Sequence, residues 1–171
     1  MCPGLWQRDS TVQRQLEEIY RDHRQGLYTL ALAITRCPES AEDAVQDACT
    51  RLWRSTIEPT GDCVAYVFAS VRNAALEIAR RGRDTIEPSA SIYGDRRAEP
   101  PALAIAAERH DMARRAVDGL ESQQREVVVL RLYGGLTFQQ IADTLDEPLP
   151  TVASRYRRAL ERIRDNIGES L

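Results

Sequence analysis

Thr137-Phe138-Gln139-Gln140-Ile141-Ala142-Asp143-Thr144-Leu145-Asp146-Glu147-Pro148-Leu149-Pro150-Thr151-Val152-Ala153-Ser154-Arg155-Tyr156-Arg157-Arg158-Ala159-Leu160-Glu161-Arg162 is the stretch that decides the fold. Thr137 to Leu145 reads as a short helix, started by a Thr137-x-x-Gln140 capping box. Asp146 to Leu149 is a turn. Pro150 then sits near the first position of a second helix, where its missing N–H is harmless. The unit is a helix-turn-helix from about Leu120 to Arg164. At about 100° per residue, Val152, Tyr156, Ala159, Leu160 and Ile163 fall in one apolar arc that packs on the preceding helices. Thr151, Arg155, Arg158 and Arg162 fall in a separate arc of about 60°. The N-terminal residues of such a helix reach base edges in the major groove. Arg155 and Arg158 are placed for guanine O6 and N7, and Arg162 for phosphate. Arg157 and Arg164 lie on another flank.

Upstream of that unit the periodicity is helical throughout, with no sustained strand alternation. Val12 to Ile34 is an amphipathic helix ended by Cys37-Pro38. Ser40 to Ile57 is a second, with Ser40 and Asp43 as a capping box and Ala41, Ala44, Val45, Ala48 and Leu52 as its buried stripe. Its opposite face carries Asp43, Gln46, Asp47, Thr50 and Arg54. Glu58 to Asp62 is a turn, and Asp62 caps a third helix running to about Arg81. On that helix Tyr66, Ser70, Asn73, Glu77 and Arg80 share a face, and Arg72, Arg81 and Arg83 extend its positive end. The arrangement suits stacking on unpaired bases, and suits equally well a helix C-terminus whose arginines answer the dipole. Arg83 to Pro101, rich in proline and serine, reads as a linker. Helical patterning resumes at Ala102. The predicted fold is all-α, with two small helical domains, 10–82 and 105–171, joined by a flexible linker at 83–104.

Composition bounds the function. The 171 residues are 43% hydrophobic and 29% charged, with net charge −3, so global charge does not announce a nucleic-acid partner; clustering does. All 23 basic residues are arginine, which a GC-rich genome explains as well as chemistry does. No apolar run approaches the roughly 18 residues that span a bilayer, and the N-terminus lacks a secretory pattern. A cytoplasmic protein without membrane insertion is expected. Cys2, Cys37, Cys49 and Cys63 have no CxxC spacing and read as reduced thiols. His23 and His110 read as structural. Without a nucleophile elbow, phosphate-cradling loop or ligand cluster, no enzyme and no cofactor or metal site is expected.

Ala41-Glu42-Asp43-Ala44-Val45-Gln46-Asp47-Ala48 with Arg51-Leu52-Trp53-Arg54, then Val71-Arg72-Asn73-Ala74-Ala75-Leu76, resembles the extracytoplasmic-function (group four) sigma factors of bacterial RNA polymerase. Arg125 to Thr137, Gln140-Ile141-Ala142 and Thr151-Val152-Ala153-Ser154-Arg155 are similar to the family's C-terminal domain. The resemblance runs in order from about Leu16 to Arg164. It implies a sigma factor that binds core RNA polymerase and directs initiation at promoter DNA. Asp43, Gln46 and Asp47 would dock on the clamp helices of the polymerase. The turn from Ser55 to Asp62 would capture a flipped minus-10 base. Tyr66, Arg72, Asn73, Arg80 and Arg81 would melt and hold the minus-10 strand. Thr151, Ser154, Arg155, Arg158 and Arg162 would read the minus-35 element, and the linker would run near the active-site cleft. An anti-sigma partner is a further implication. Tyr66 stands where the family has tryptophan, Ala153 where it often has a basic residue and Asp146 where glycine is common. The competing expectations are a dimeric helix-turn-helix regulator and a helical interaction adaptor. Neither has a use for the Asp43–Asp47 stripe.

Overall fold

The computed structural model describes residues 10–55, 61–82 and 115–168. The calls on Cys2, on the linker at 83–104, on His110 and on most of the 102–120 helix lie outside these residues. Among the described residues there is no strand. The elements are α1 (Ser10–Thr35), α2 (Pro38–Arg54), α3 (Cys63–Gly82), α4 (Ser122–Leu132), α5 (Phe138–Leu145) and α6 (Leu149–Gly168).

The first three helices pack on one another. Leu27, Leu30 and Ala31 of α1, Ala41, Ala44 and Ala48 of α2, and Phe68, Val71 and Ala75 of α3 are almost wholly buried. Alanine at so many contact positions lets the helix axes approach closely. One local expectation is corrected. Ser40 does not cap α2: the helix begins at Pro38, Cys37 is its extended N-cap, and no side chain caps it. Proline at the first position needs no partner for an N–H it lacks, so the start shifts back to it. The preceding break is made by Arg36, which adopts a left-handed φ of 59°. α2 likewise stops at Arg54, short of Ile57. Asp62 does cap α3, its Oδ1 accepting from Ala65 N at 2.9 Å.

The C-terminal unit is built as its sequence pattern predicts. Thr137 Oγ1 accepts from Gln140 N, and Gln140 Oε1 accepts from Thr137 N. Asp146 closes α5 in the left-handed region, at φ 54° and ψ 48°. Arg125, although charged, is buried. Its guanidinium donates to the carbonyls of Val117, Asp118 and Leu120 and so ties the turn before α4 to that helix.

The two predicted parts do not lie apart. α4 packs on α1 and α5 packs on α3, and Leu130, Leu136, Ile141 and Val152 join the same hydrophobic core as Leu27, Phe68 and Val71. Gly134 is the closest approach. A Cβ on Gly26 would lie 2.7 Å from the Tyr133 carbonyl oxygen and 2.8 Å from Gly134 Cα. His23 Nδ1 donates to the Gly134 carbonyl at 3.0 Å, and its ring meets Phe68 edge-on. His23 is thus structural, as expected.

Candidate nucleic-acid interface

The helix-turn-helix aims α6. Val152 and Ala159 are fully buried, Tyr156 and Ile163 are half-buried, and Tyr156 meets the Phe138 ring of α5 at 5.3 Å between centroids. Leu160 departs from the predicted stripe. It sits at the edge of the apolar arc and is 38% exposed. With the buried arc fixed, Thr151, Arg158 and Arg162 point outward. Arg155 shares their arc but is not free: its Nη1 pairs with Glu147 Oε2 at 2.5 Å, and only 16% of its side chain is accessible. Arg162 pairs with Glu121 at 3.2 Å. Ser154 is half-buried, and its hydroxyl donates to the Thr151 carbonyl.

On α3, Asn73, Arg80 and Arg81 are exposed, and Tyr66 is half-buried against the core. The structure separates Arg72 from this group. At helical spacing it lies about 100° from the centre of the Tyr66–Asn73–Arg80 face. Its Nε meets Glu126 Oε2 of α4 at 2.6 Å, with the carboxylate only 9% accessible.

On α2, Asp43 and Gln46 are exposed and Asp47 is half-buried. Asp43 and Gln46 edge a cleft of about 680 Å³ between α1 and α2, also lined by Tyr20, Tyr28 and Trp53. Burial, and then the charge of Glu42, hold the Tyr28 phenol above its ordinary range. Asp47 pairs with Arg51 at 2.7 Å, and Arg51 reaches Glu77 of α3 at 3.2 Å. Hydrogen bonding from Arg51 and the nearby charge of Arg81 hold Glu77 below the usual carboxylate range. A string of alternating charge therefore runs from the α2 stripe to the end of α3.

Burial acts to raise the Asp62 carboxyl, but donation from Ala65 N and from the Gln140 side chain outweighs it and leaves the group below its usual range. Among the described residues no group of His, Cys, Asp and Glu could hold a metal ion. Cys37, Cys49 and Cys63 are free thiols, and burial pushes Cys49 up. No helix of the described residues is long and apolar enough to cross a membrane.

Glu126, Gly26 and Gln140 escaped the sequence reading as contact residues. Glu126 lies in a helix whose apolar pattern says only that it is buried, and Gly26 reads as an ordinary interruption of a helix. Their partners are 54, 107 or more, and 78 residues away, beyond any local signal.

A helix-turn-helix whose last helix turns Thr151, Arg158 and Arg162 outward, packed on a three-helix bundle, defines a class: a helical DNA-binding protein of two parts. Comparison with known proteins narrows it. Residues 19–85 match the family described as Sigma-70 region 2, and residues 110–163 match Sigma-70, region 4. An ECF RNA polymerase sigma factor SigK of Mycobacterium sp. (strain KMS) is 28% identical over 160 residues, covering 89% of this chain and 82% of that protein. The protein of the same name from Mycolicibacterium vanbaalenii is 29% identical over 157 residues, covering 87% and 80%. Among solved structures, the sigma factor RpoE in complex with the anti-sigma factor NepR from Bartonella quintana is 21% identical. It aligns with a TM-score of 0.66 over 91% of this chain and 96% of that one. The chain belongs to the sigma-70 family, in its extracytoplasmic-function branch. Members of that family are promoter-recognition subunits of RNA polymerase and perform no bond chemistry of their own.

Proposed function

We propose that this sigma factor divides its work among three surfaces. The α2 stripe of Asp43, Gln46 and Asp47, with the cleft beside it, docks on core RNA polymerase. The α3 face of Tyr66, Asn73, Arg80 and Arg81, joined by Arg72, stacks and holds the melted minus-10 strand. The outer arc of α6 lies in the major groove of the minus-35 element. There Arg155 and Arg158 read base edges, Thr151 and Ser154 contact bases or backbone, and Arg162 neutralises phosphate. The working units are 10–82 and 105–171, connected through 83–104. An extracytoplasmic-function factor acts on chromosomal promoters, so its place is the cytoplasm, and an anti-sigma protein is its expected inhibitor.

The observation that carries this reading is one chain holding both an arginine-faced α6 and an exposed acidic stripe on α2. A dimeric regulator or an adaptor needs no such pair. The test is transcription in vitro with purified core polymerase. Promoter-specific starts that depend on this protein are expected. Failure to bind core and to direct any specific start would sink the reading.

A further inference from the structure

At helical spacing Glu77 shares the α3 face of Tyr66, Asn73 and Arg80, where a bare carboxylate would repel a nucleic-acid strand. Two arginines answer its charge. Arg51 of α2 donates from Nη2 to Glu77 Oε2 at 3.2 Å. Arg81, one turn on in α3, donates from Nη2 to Glu77 Oε1. Each oxygen thus holds one guanidinium. Arg51 is itself divided. Its Nε lies 3.2 Å from Asp47 Oδ1 and its Nη2 lies 2.7 Å from Asp47 Oδ2, so its fork grips Asp47 with both donors. The same Nη2 therefore bridges Asp47 of the proposed polymerase-docking stripe and Glu77 of the proposed strand-binding face. Neither Arg51 nor Glu77 contacts polymerase or DNA in the reading above, yet together they join the two surfaces.

We propose that Arg51 and Glu77 form a relay that couples docking on core polymerase to binding of the minus-10 strand. The relay rests on the docking and strand-binding readings given above. A guanidinium fork matches one carboxylate at a time, through two parallel N–H···O bonds. While the fork is on Asp47, Glu77 receives a single Arg51 donor and its Oε1 holds Arg81. A cation of the polymerase that pairs with Asp47 displaces the fork. Arg51 then turns to Glu77 and needs its second oxygen, and Arg81 is released to a phosphate. All four side chains are 36% or more accessible, so they exchange partners without a large desolvation cost. By linkage the effect is reciprocal. A strand that takes Arg81 opens Glu77 to the fork and frees Asp47 for the polymerase.

Arg81→Gln in the full chain tests the reciprocal arm. It opens Glu77 as a bound strand would, and it alters no proposed polymerase contact. Affinity for purified core polymerase is measured without DNA, by anisotropy of the labelled chain, in the wild-type and Arg51→Gln backgrounds. Arg81→Gln should bind core about two- to fivefold more tightly than wild type, the scale of one exposed ion pair. The gain should vanish once Arg51 is also replaced. Glu77→Gln is the second variant. It should bind core no more tightly than wild type, because the fork stays on Asp47. It should bind a labelled mixed-sequence DNA single strand of about 12 nucleotides about two- to fivefold more tightly, a gain absent when Arg81 is also Gln. An equal change of core affinity in both Arg51 backgrounds, or none in either, would overturn the relay and leave only an effect of net charge. A strand gain for Glu77→Gln that persists without Arg81, or no gain, would overturn the release of Arg81. Unchanged strand affinity in Arg81→Gln itself would instead reject the strand-binding role of Arg81, and the relay with it.

Discussion

Asp47 and Arg155 are both charged and both paired, and the pairs have different consequences. Asp47 reaches Arg51 on a largely exposed face, where solvent screening leaves an ion pair with little effect on stability. Asp47→Arg should therefore leave the melting temperature nearly unchanged while removing affinity for core polymerase. Unchanged affinity in a pull-down with purified core would reject the docking role. Arg155 is held by Glu147 with little of its side chain accessible, so reading a base requires its guanidinium to exchange that carboxylate for the base edge. Arg155→Ala should cost about 1–3 kcal/mol at particular minus-35 base pairs, read by binding to a panel of single-substitution duplexes. A uniform loss across the panel would mark a phosphate contact instead.

At the scale of the element, α5 is the lever that sets α6. It has only eight residues, too few to persist without its caps and its packing. The reciprocal bonds of Thr137 and Gln140 satisfy two of the donors its N-terminus leaves open. Thr137→Ala should destabilise the chain by about 1 kcal/mol, and Thr137→Ser should recover most of that. The alanine variant should also lose minus-35 affinity, because α6 is aimed through Phe138 and Tyr156. Equal melting temperatures for the alanine and wild-type proteins would remove the cap from the account. This element was legible in the sequence because its signals are local: a capping box, a left-handed Asp146 and an early Pro150 lie within 14 residues. The start of α2 was misread for the same kind of reason. Ser40 and Asp43 imitate a capping box, while Pro38 two residues earlier already satisfies the helix start.

For the whole molecule, the two parts share one core, and Asp62 joins them by capping α3 while accepting from Gln140 of α5. Its carboxyl lies below the ordinary value, near 3.9 for aspartate, after hydrogen bonding outweighs burial. A depressed native value means the contribution is complete above the unfolded value and is lost as pH falls through the native one. Wild-type protein should thus be more stable than Asp62→Asn near neutrality, and the gap should narrow below about pH 4. Urea titrations of both proteins between neutral and acidic pH supply the check. A gap independent of pH would show that the charge on Asp62 contributes nothing to the difference.

The all-α class, the helix-turn-helix and most of each buried stripe are legible in the sequence alone, as are the exposed Asp43, Gln46, Thr151, Arg158 and Arg162; the exposure of Leu160 and the partial burial of Arg155 are not. The legible features follow from a period of 3.6 and from caps and breakers within a few residues of one another. The family-bearing motifs are equally local. Only the tertiary structure decided that α4 and α5 close on α1 and α3, that Arg72 is spent on Glu126, and that Gly26 must lack a side chain. Those facts depend on pairs of residues more than 50 positions apart. Helical periodicity says that a face is apolar, but not which other face will cover it. The arginine-faced α6 could be read from spacing; the packing of α5 on α3 could not.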